Sequence, residues 1–334
     1  MKNVLVLGGT GAMGRYLVPE LLNLGYHVDA VSIDRADEDL GNLRYILMDA
    51  MDDGNVDRLL NRGYDAIVDF MSYSVPQFRS RMPIVLGNTD QYIFLSSCRV
   101  YANEDPVVKE TSPKLLDVST DMEYLSRKET EYSLYKAMEE NMILDSGKKN
   151  WTIVRPATTY STGRSQLVTL EANSFVYRAM KGKKVCIPEA ALSCPATLTW
   201  GGDVGKMLAH LVLKPEAYGE DFITATSEYH TWGEIAEFYR DLIGLDYEAV
   251  DIESYLRCIA DENRYPYARY QLIYARMFNR ITDNSKILKF TGLKQEDMTS
   301  LYDGLKTELA RVTLDNLPPD LAIDRRMDAF FAGR

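Results

Sequence analysis

Tyr132 and Lys136, in "ETEYSLYKAMEEN", stand four residues apart, so on a helix both side chains fall on one face. A phenol alone is a poor base at neutral pH, with an ordinary pKa of about 10, but a neighbouring ammonium and an oxidised nicotinamide both favour the phenolate. Such a Tyr takes a proton from a carbinol as hydride leaves the same carbon. With 22 tyrosines in the chain, the spacing alone carries little. Position carries more. About 35 residues upstream, "FLSSCRVY" ends an apolar run with Ser96 and Ser97, whose hydroxyls there can hydrogen-bond the reacting oxygen; taken alone, they read as turn formers.

A second constellation opens the chain. "VLVLGGTGAMGRYLVPELL" runs an apolar strand into Gly8, Gly11 and Gly14 and then into a helical pattern. That spacing lets backbone approach a pyrophosphate, whose charge meets the amides and positive end of the helix. The bland alternative is a tight strand-to-helix turn. At the end of the next strand, in "HVDAVSIDR", a carboxylate would bind a ribose 2′-hydroxyl, whereas Ser32 with Arg35 suits a 2′-phosphate, so NAD and NADP both stay open. Asp49, closing "ILMDA", is a candidate adenine contact or a turn cap.

The elements that would position these residues are legible in outline. Six apolar runs, "NVLVLG", "HVDAVSI", "RYILMDA", "DAIVDFM", "QYIFLSS" and "WTIVRPA", predict strands. Helical patterns fall near 12–24, 54–61, 75–86 and 121–147, with Pro19 an anomaly inside the first. The alternation predicts an α/β fold, a Rossmann-like doubly wound parallel sheet with a smaller C-terminal substrate lobe. Residues 1–164 would form the dinucleotide-binding domain, with 197–227 returning to it; 165–196 and 228–330 would form the lobe.

Composition narrows the function class. The net charge is −11 and the longest basic run is "KGKK", which argues against nucleic-acid binding. Four cysteines without a CxxC pair and three scattered histidines argue against a metal site. No apolar run reaches membrane-spanning length and no leader pattern precedes the first strand, so a cytoplasmic location with reduced thiols is expected.

Together, "GGTGAMG", "DAIVDF", "FLSSCRVYA", "YSLYK", "IVRPATTY", "GGDVGKML", "DNSKILKFTG" and "DGL" resemble the extended short-chain dehydrogenase/reductase family, the NAD-dependent epimerases and dehydratases, over nearly the whole chain. The resemblance implies that Gly8, Gly11 and Gly14 hold the pyrophosphate and that Phe70, Met71 and Ser72 line the cofactor cleft. It makes Ser97 the catalytic hydroxyl, Tyr132 the base, and Lys136 the residue that binds the nicotinamide ribose. It also implies a homodimer paired through segments 75–86 and 121–147.

Three departures from the family pattern bear on the reaction. Cys98 and Arg99 stand where 4,6-dehydratases carry an Asp–Glu pair, which disfavours dehydration. Thr158 replaces an Asn that contacts the substrate diphosphate, and Ser32 replaces the Asp of NAD-retaining epimerases. The expectation is an NAD(P)-dependent epimerase or oxidoreductase acting on a hydroxyl of a sugar or nucleotide-sugar. The alternative is a non-catalytic dinucleotide sensor or an RNA-binding relative. For the substrate, Ser97, Thr158 and Arg164 are the candidates, with Trp200, Tyr229, Arg264 and Tyr267 further possibilities.

Overall fold

Val4, Leu5, Val6 and Leu7 have no solvent exposure on either face, the condition under which a strand reads as an unbroken apolar run. In a computed structural model, which describes residues 2–34 and 41–333, this strand (β1, Asn3–Leu7) lies within a seven-stranded sheet. The other strands are β2 (His27–Ser32), β3 (Leu43–Leu47), β4 (Tyr64–Asp69), β5 (Thr89–Leu95), β6 (Trp151–Arg155) and β7 (Glu220–Ile223). All neighbours pair parallel, in the order β7-β6-β5-β4-β1-β2-β3. The six expected strands are all present, and "GEDFITATS" supplies the seventh at the edge beside β6.

Alternate residues of β1 feed two layers. Val4 and Val6 pack with Leu17 and Leu21 of α1 (Gly14–Asn23) and with Val204 and Leu208 of α5 (Gly201–Ala209). Leu5 and Leu7 face the other layer, formed by α2 (Asp53–Leu60), α3 (Val75–Gly87) and α4 (Tyr132–Leu144). Glycines set the α1–α5 spacing. A Cβ on Gly201 would lie 2.5 Å from the Ala12 carbonyl oxygen, and one on Gly205 would lie 2.9 Å from the Leu17 nitrogen. Pro19 sits on the exposed face of α1, and the helix runs through it. Its missing N–H leaves only a solvent-side carbonyl to water.

The expected helix over 121–147 is divided. Asp121 caps a short helix, Met122–Ser126, by accepting from the Tyr124 amide, and the chain then turns before α4 begins at Tyr132. The cause is packing from far along the chain: Tyr124 stacks on Tyr274 at 4.1 Å and meets Tyr270 at 5.2 Å. Much of the chain from Ala172 onward, outside α5 and β7, builds a second core around Phe175, Ile187, Trp232, Tyr239, Leu256 and Leu305, whereas Ile287, Phe290, Leu293 and Met298, expected in the lobe, pack onto the first core beside β7.

One buried polar network ties α4 to β6. Arg155 makes a bidentate pair with Glu140 at 2.7 and 2.8 Å and donates to Tyr101 Oη and Asp221 at 2.7 and 2.6 Å. Lys114 adds a 2.7 Å contact to Glu140. Burial alone would raise the Glu140 pKa; Arg155 and Lys114 outweigh it and hold the carboxyl below the ordinary glutamate range.

Breaking such a pair leaves a buried charge without its partner, so Glu140→Gln should lose about 3–5 kcal/mol of unfolding free energy at pH 7. Because the folded-state pKa is depressed, this contribution is complete above the unfolded pKa of about 4.3 and is lost as pH falls. The gap between wild type and variant in denaturant titrations should therefore close towards low pH. Gly205→Val should cost about 1–3 kcal/mol by overpacking the α1–α5 contact. Gly87→Ala, with nothing within 4 Å of the new Cβ, should be close to neutral in the same titrations.

Candidate functional site

From β1 the chain proceeds outward to β2 and β3, then returns to place β4 on the other side of β1. Strand order reverses between β1 and β4, which opens a crevice at their carboxyl ends. Gly8 lies there with φ +83°, in the left-handed region that glycine adopts without strain. Its amide and that of Gly9 donate to the Val31 carbonyl at 2.9 and 3.0 Å. A Cβ on Gly14 would stand 2.4 Å from the Gly8 carbonyl oxygen, so the loop closes onto α1 only with glycine at that position. No side chain caps the start of α1 and its first turn holds no acidic residue. Its amino end is therefore suited to an anion.

Around this loop the predicted contacts separate. Phe70, Met71 and Ser72 follow β4 and line the cavity described below, with Ser72 Oγ 2.8 Å from Tyr135 Oη. Ser32 is buried at the end of β2, its hydroxyl 2.5 Å from Thr10 Oγ1 and accepting from the Asp34 amide at 3.1 Å. Asp49 accepts from the Met51 amide at 2.8 Å, so the structure displays its turn-capping reading. Arg35 lies outside the described residues.

Ser97, Tyr132 and Lys136 border one cavity of about 340 Å³. Ser97 accepts from the Arg99 amide at 3.2 Å, and the neighbouring Ser96 hydroxyl is buried without a partner. Tyr132 is the first residue of α4, and Lys136 is one turn further along. The Lys136 ammonium, 1% exposed, lies 2.9 Å from Glu139 and 4.7 Å over the Phe94 ring. Burial works against this ammonium, but Glu139 beside it holds its pKa above the ordinary lysine value. Burial in turn pushes the Glu139 carboxyl up to about 7, against the pull of Lys136. Lys136 therefore stays charged.

Cys98 faces away from acid–base work. Its thiol donates to the Arg155 carbonyl at 3.2 Å, and burial pushes its pKa up to about 12. Thr158 and Arg164 both line the cavity. Trp200 instead donates to Glu308 at 2.8 Å, Tyr229 is half exposed, and neither Arg264 nor Tyr267 borders the cavity.

The cavity also holds residues that sequence reasoning missed. Arg276, on a single π-helical turn (Leu272–Arg276), donates to Thr158 Oγ1 at 2.8 Å and Gln166 Oε1 at 2.6 Å. Arg280, four residues on, donates to the carbonyls of Tyr101 and Tyr274. Burial, with Arg99 adding repulsion, lowers the two guanidinium pKa values to about 9 and about 10. Their one sequence signal was a cluster of arginines just before "DNSKILKFTG", with no helical or strand pattern to aim them. Among the described residues, no three His, Cys, Asp or Glu side chains group to hold a metal ion, and no helix is long and apolar enough to cross a membrane.

Residues 4–85 match the model of the NAD dependent epimerase/dehydratase family. Comparison with curated protein sequences gave no match. Among solved structures, the chain is similar to MoeE5 in complex with UDP-glucuronic acid and NAD, at 20% identity and a TM-score of 0.67, over 92% of this chain and 98% of that one. It is similar to the UDP-glucuronic acid 4-epimerase of Bacillus cereus at 15% identity and a TM-score of 0.67, over 92% and 98% of the two chains. For the UDP-glucose 4-epimerase of Thermotoga maritima the figures are 17% identity, a TM-score of 0.63, and 92% and 98%. With residues 4–85 matching the epimerase/dehydratase model, the chain shares the fold of these solved structures, built on its parallel sheet.

Proposed function

We propose that this protein is an NAD(P)-dependent epimerase or oxidoreductase acting on a hydroxyl of a sugar or nucleotide-sugar. The observation that carries the reading is the convergence of Ser97, Tyr132 and Lys136 on one cavity beside a glycine loop at the sheet's switch point. Support for a nucleotide-sugar comes from the similar structures, which hold UDP-glucuronic acid or UDP-glucose.

The residues present fit a dinucleotide. Gly8 and Gly14 keep the loop free of side chains, and the uncapped start of α1 is left to a pyrophosphate. Gly8, Gly11 and Gly14 would hold that group, with Phe70, Met71 and Ser72 along the cleft and Lys136 on the nicotinamide ribose. When bound, the nicotinamide supplies hydride transfer at the carbinol carbon. Tyr132 accepts the hydroxyl proton and returns it, with the Lys136 charge favouring the phenolate. Ser97 hydrogen-bonds the reacting oxygen. The lobe of residues 165–196 and 228–330, apart from the Ile287–Met298 stretch that packs on the sheet, holds the rest of the substrate. Elimination of water is disfavoured, because Cys98 and Arg99 offer no carboxylate pair for it. Pairing through α3 and α4, which carry the exposed Ile84 and Leu144, is the dimer arrangement this reading adopts.

Tyr132→Phe should retain the dinucleotide and lose turnover by about 10²–10⁴-fold, the usual contribution of a positioned proton acceptor. Steady-state assays on the nucleotide-sugar, with cofactor content measured in parallel, check this. Normal turnover in the variant would remove Tyr132 from the role of base. Lys136→Met should weaken both cofactor binding and turnover in the same assays.

A further inference from the structure

Arg99 has no task in the chemistry described above, and its surroundings are unusual. It follows Ser97 by two residues, and its guanidinium carbon sits 4.8 Å over the Tyr132 ring. That places a fixed positive charge against the base itself. One nitrogen, Nη2, reaches Glu131 at 3.2 Å; Nε is buried without a hydrogen-bond partner. Two further guanidiniums close the same cavity. Arg276 is 7% exposed and has Nε unpartnered; Arg280 has both Nε and Nη1 buried and unpartnered. Glu171 is the one carboxylate in the lining, beside four arginines, in a chain of net charge −11.

Buried N–H groups are rarely left unmade, because each one forfeits its hydration. Three guanidiniums brought to one cavity also repel one another; burial first, and the Arg99 charge after it, hold the Arg276 and Arg280 pKa values down. Such a cluster persists where an anion supplies the missing acceptors and charge, since guanidinium–carboxylate and guanidinium–phosphate bonds are strong and directional. A sugar diphosphate answers for Arg276 and Arg280, which come from the lobe side. Arg99 is different: it arises at the end of β5, on the same short turn as Ser97, and lies on the face of Tyr132. An anion meeting the part of its guanidinium that lines the cavity therefore belongs to the sugar ring at the reacting end.

We propose that the substrate is an acidic sugar, carrying a carboxylate beside the reacting carbinol, and that Arg99 is the residue that binds this carboxylate. This deepens the nucleotide-sugar reading and rests on it.

UDP-glucuronic acid and UDP-glucose differ at one position, a carboxylate against a hydroxymethyl group, which makes them the test pair. Titration calorimetry on the NAD-loaded protein should show the acid bound at least about tenfold more tightly, the minimum for one charge-assisted hydrogen-bonded contact. In Arg99→Gln the loss for UDP-glucuronic acid should exceed that for UDP-glucose by about the same tenfold factor, and Arg99→Lys should recover part of the preference. Equal affinities in the wild type would overturn the proposal, as would a preference that survives Arg99→Gln. Equal weakening of both ligands by that substitution would also overturn it, assigning Arg99 to the diphosphate. Should neither nucleotide-sugar bind while NAD does, the nucleotide-sugar reading fails, and free glucuronate against glucose decides the acid site by itself. A glucuronate preference lost in Arg99→Gln upholds the acid site; no preference overturns it.

Discussion

The candidate site depends first on the buried pair between Arg155 and Glu140. Arg155 ends β6 and Glu140 lies in the middle of α4, so this bidentate contact fixes the helix to the sheet in one register. Tyr132 and Lys136 lie on turns preceding Glu140, and their place over the carboxyl end of the sheet follows from that register. A purely apolar contact would tolerate a sliding helix; a two-bond guanidinium–carboxylate pair with Tyr101, Asp221 and Lys114 around it does not. The glycine loop is fixed independently, by close backbone approach between Gly8 and Gly14.

A second constraint is electrical. The protein is acidic overall, yet its cavity gathers Arg99, Arg276 and Arg280 around Ser97 and Tyr132. Arg99 and Lys136 each have a carboxylate beside them, Glu131 at 3.2 Å and Glu139 at 2.9 Å. Arg276 and Arg280 instead present positive charge to the cavity with no carboxylate bonded to them among the described residues.

Much of this was legible in the chain. Strands buried on both faces show as apolar runs, and the glycine spacing at 8, 11 and 14 shows the loop because no other residue closes it. The Tyr132–Lys136 spacing was readable because four residues make one helical turn. What was hidden depended on contacts between distant segments. The break before α4 comes from Tyr124 stacking on Tyr274, 150 residues away. Arg276 and Arg280 enter the cavity from a π-helical turn and an extended segment, neither of which has a periodicity that would aim a side chain. Thr158 was singled out as a departure from a family pattern; its partnership with Arg276 needed the fold.

The account's central claim is that the glycine loop and the Tyr132–Lys136 helix together serve a dinucleotide. The most direct test is to denature the freshly purified protein and identify the released small molecules by mass spectrometry, then titrate the emptied protein with NAD and NADP. The account predicts one of the two dinucleotides either released or taken up in equimolar amount. A protein that releases neither and binds neither at saturating concentration would contradict it.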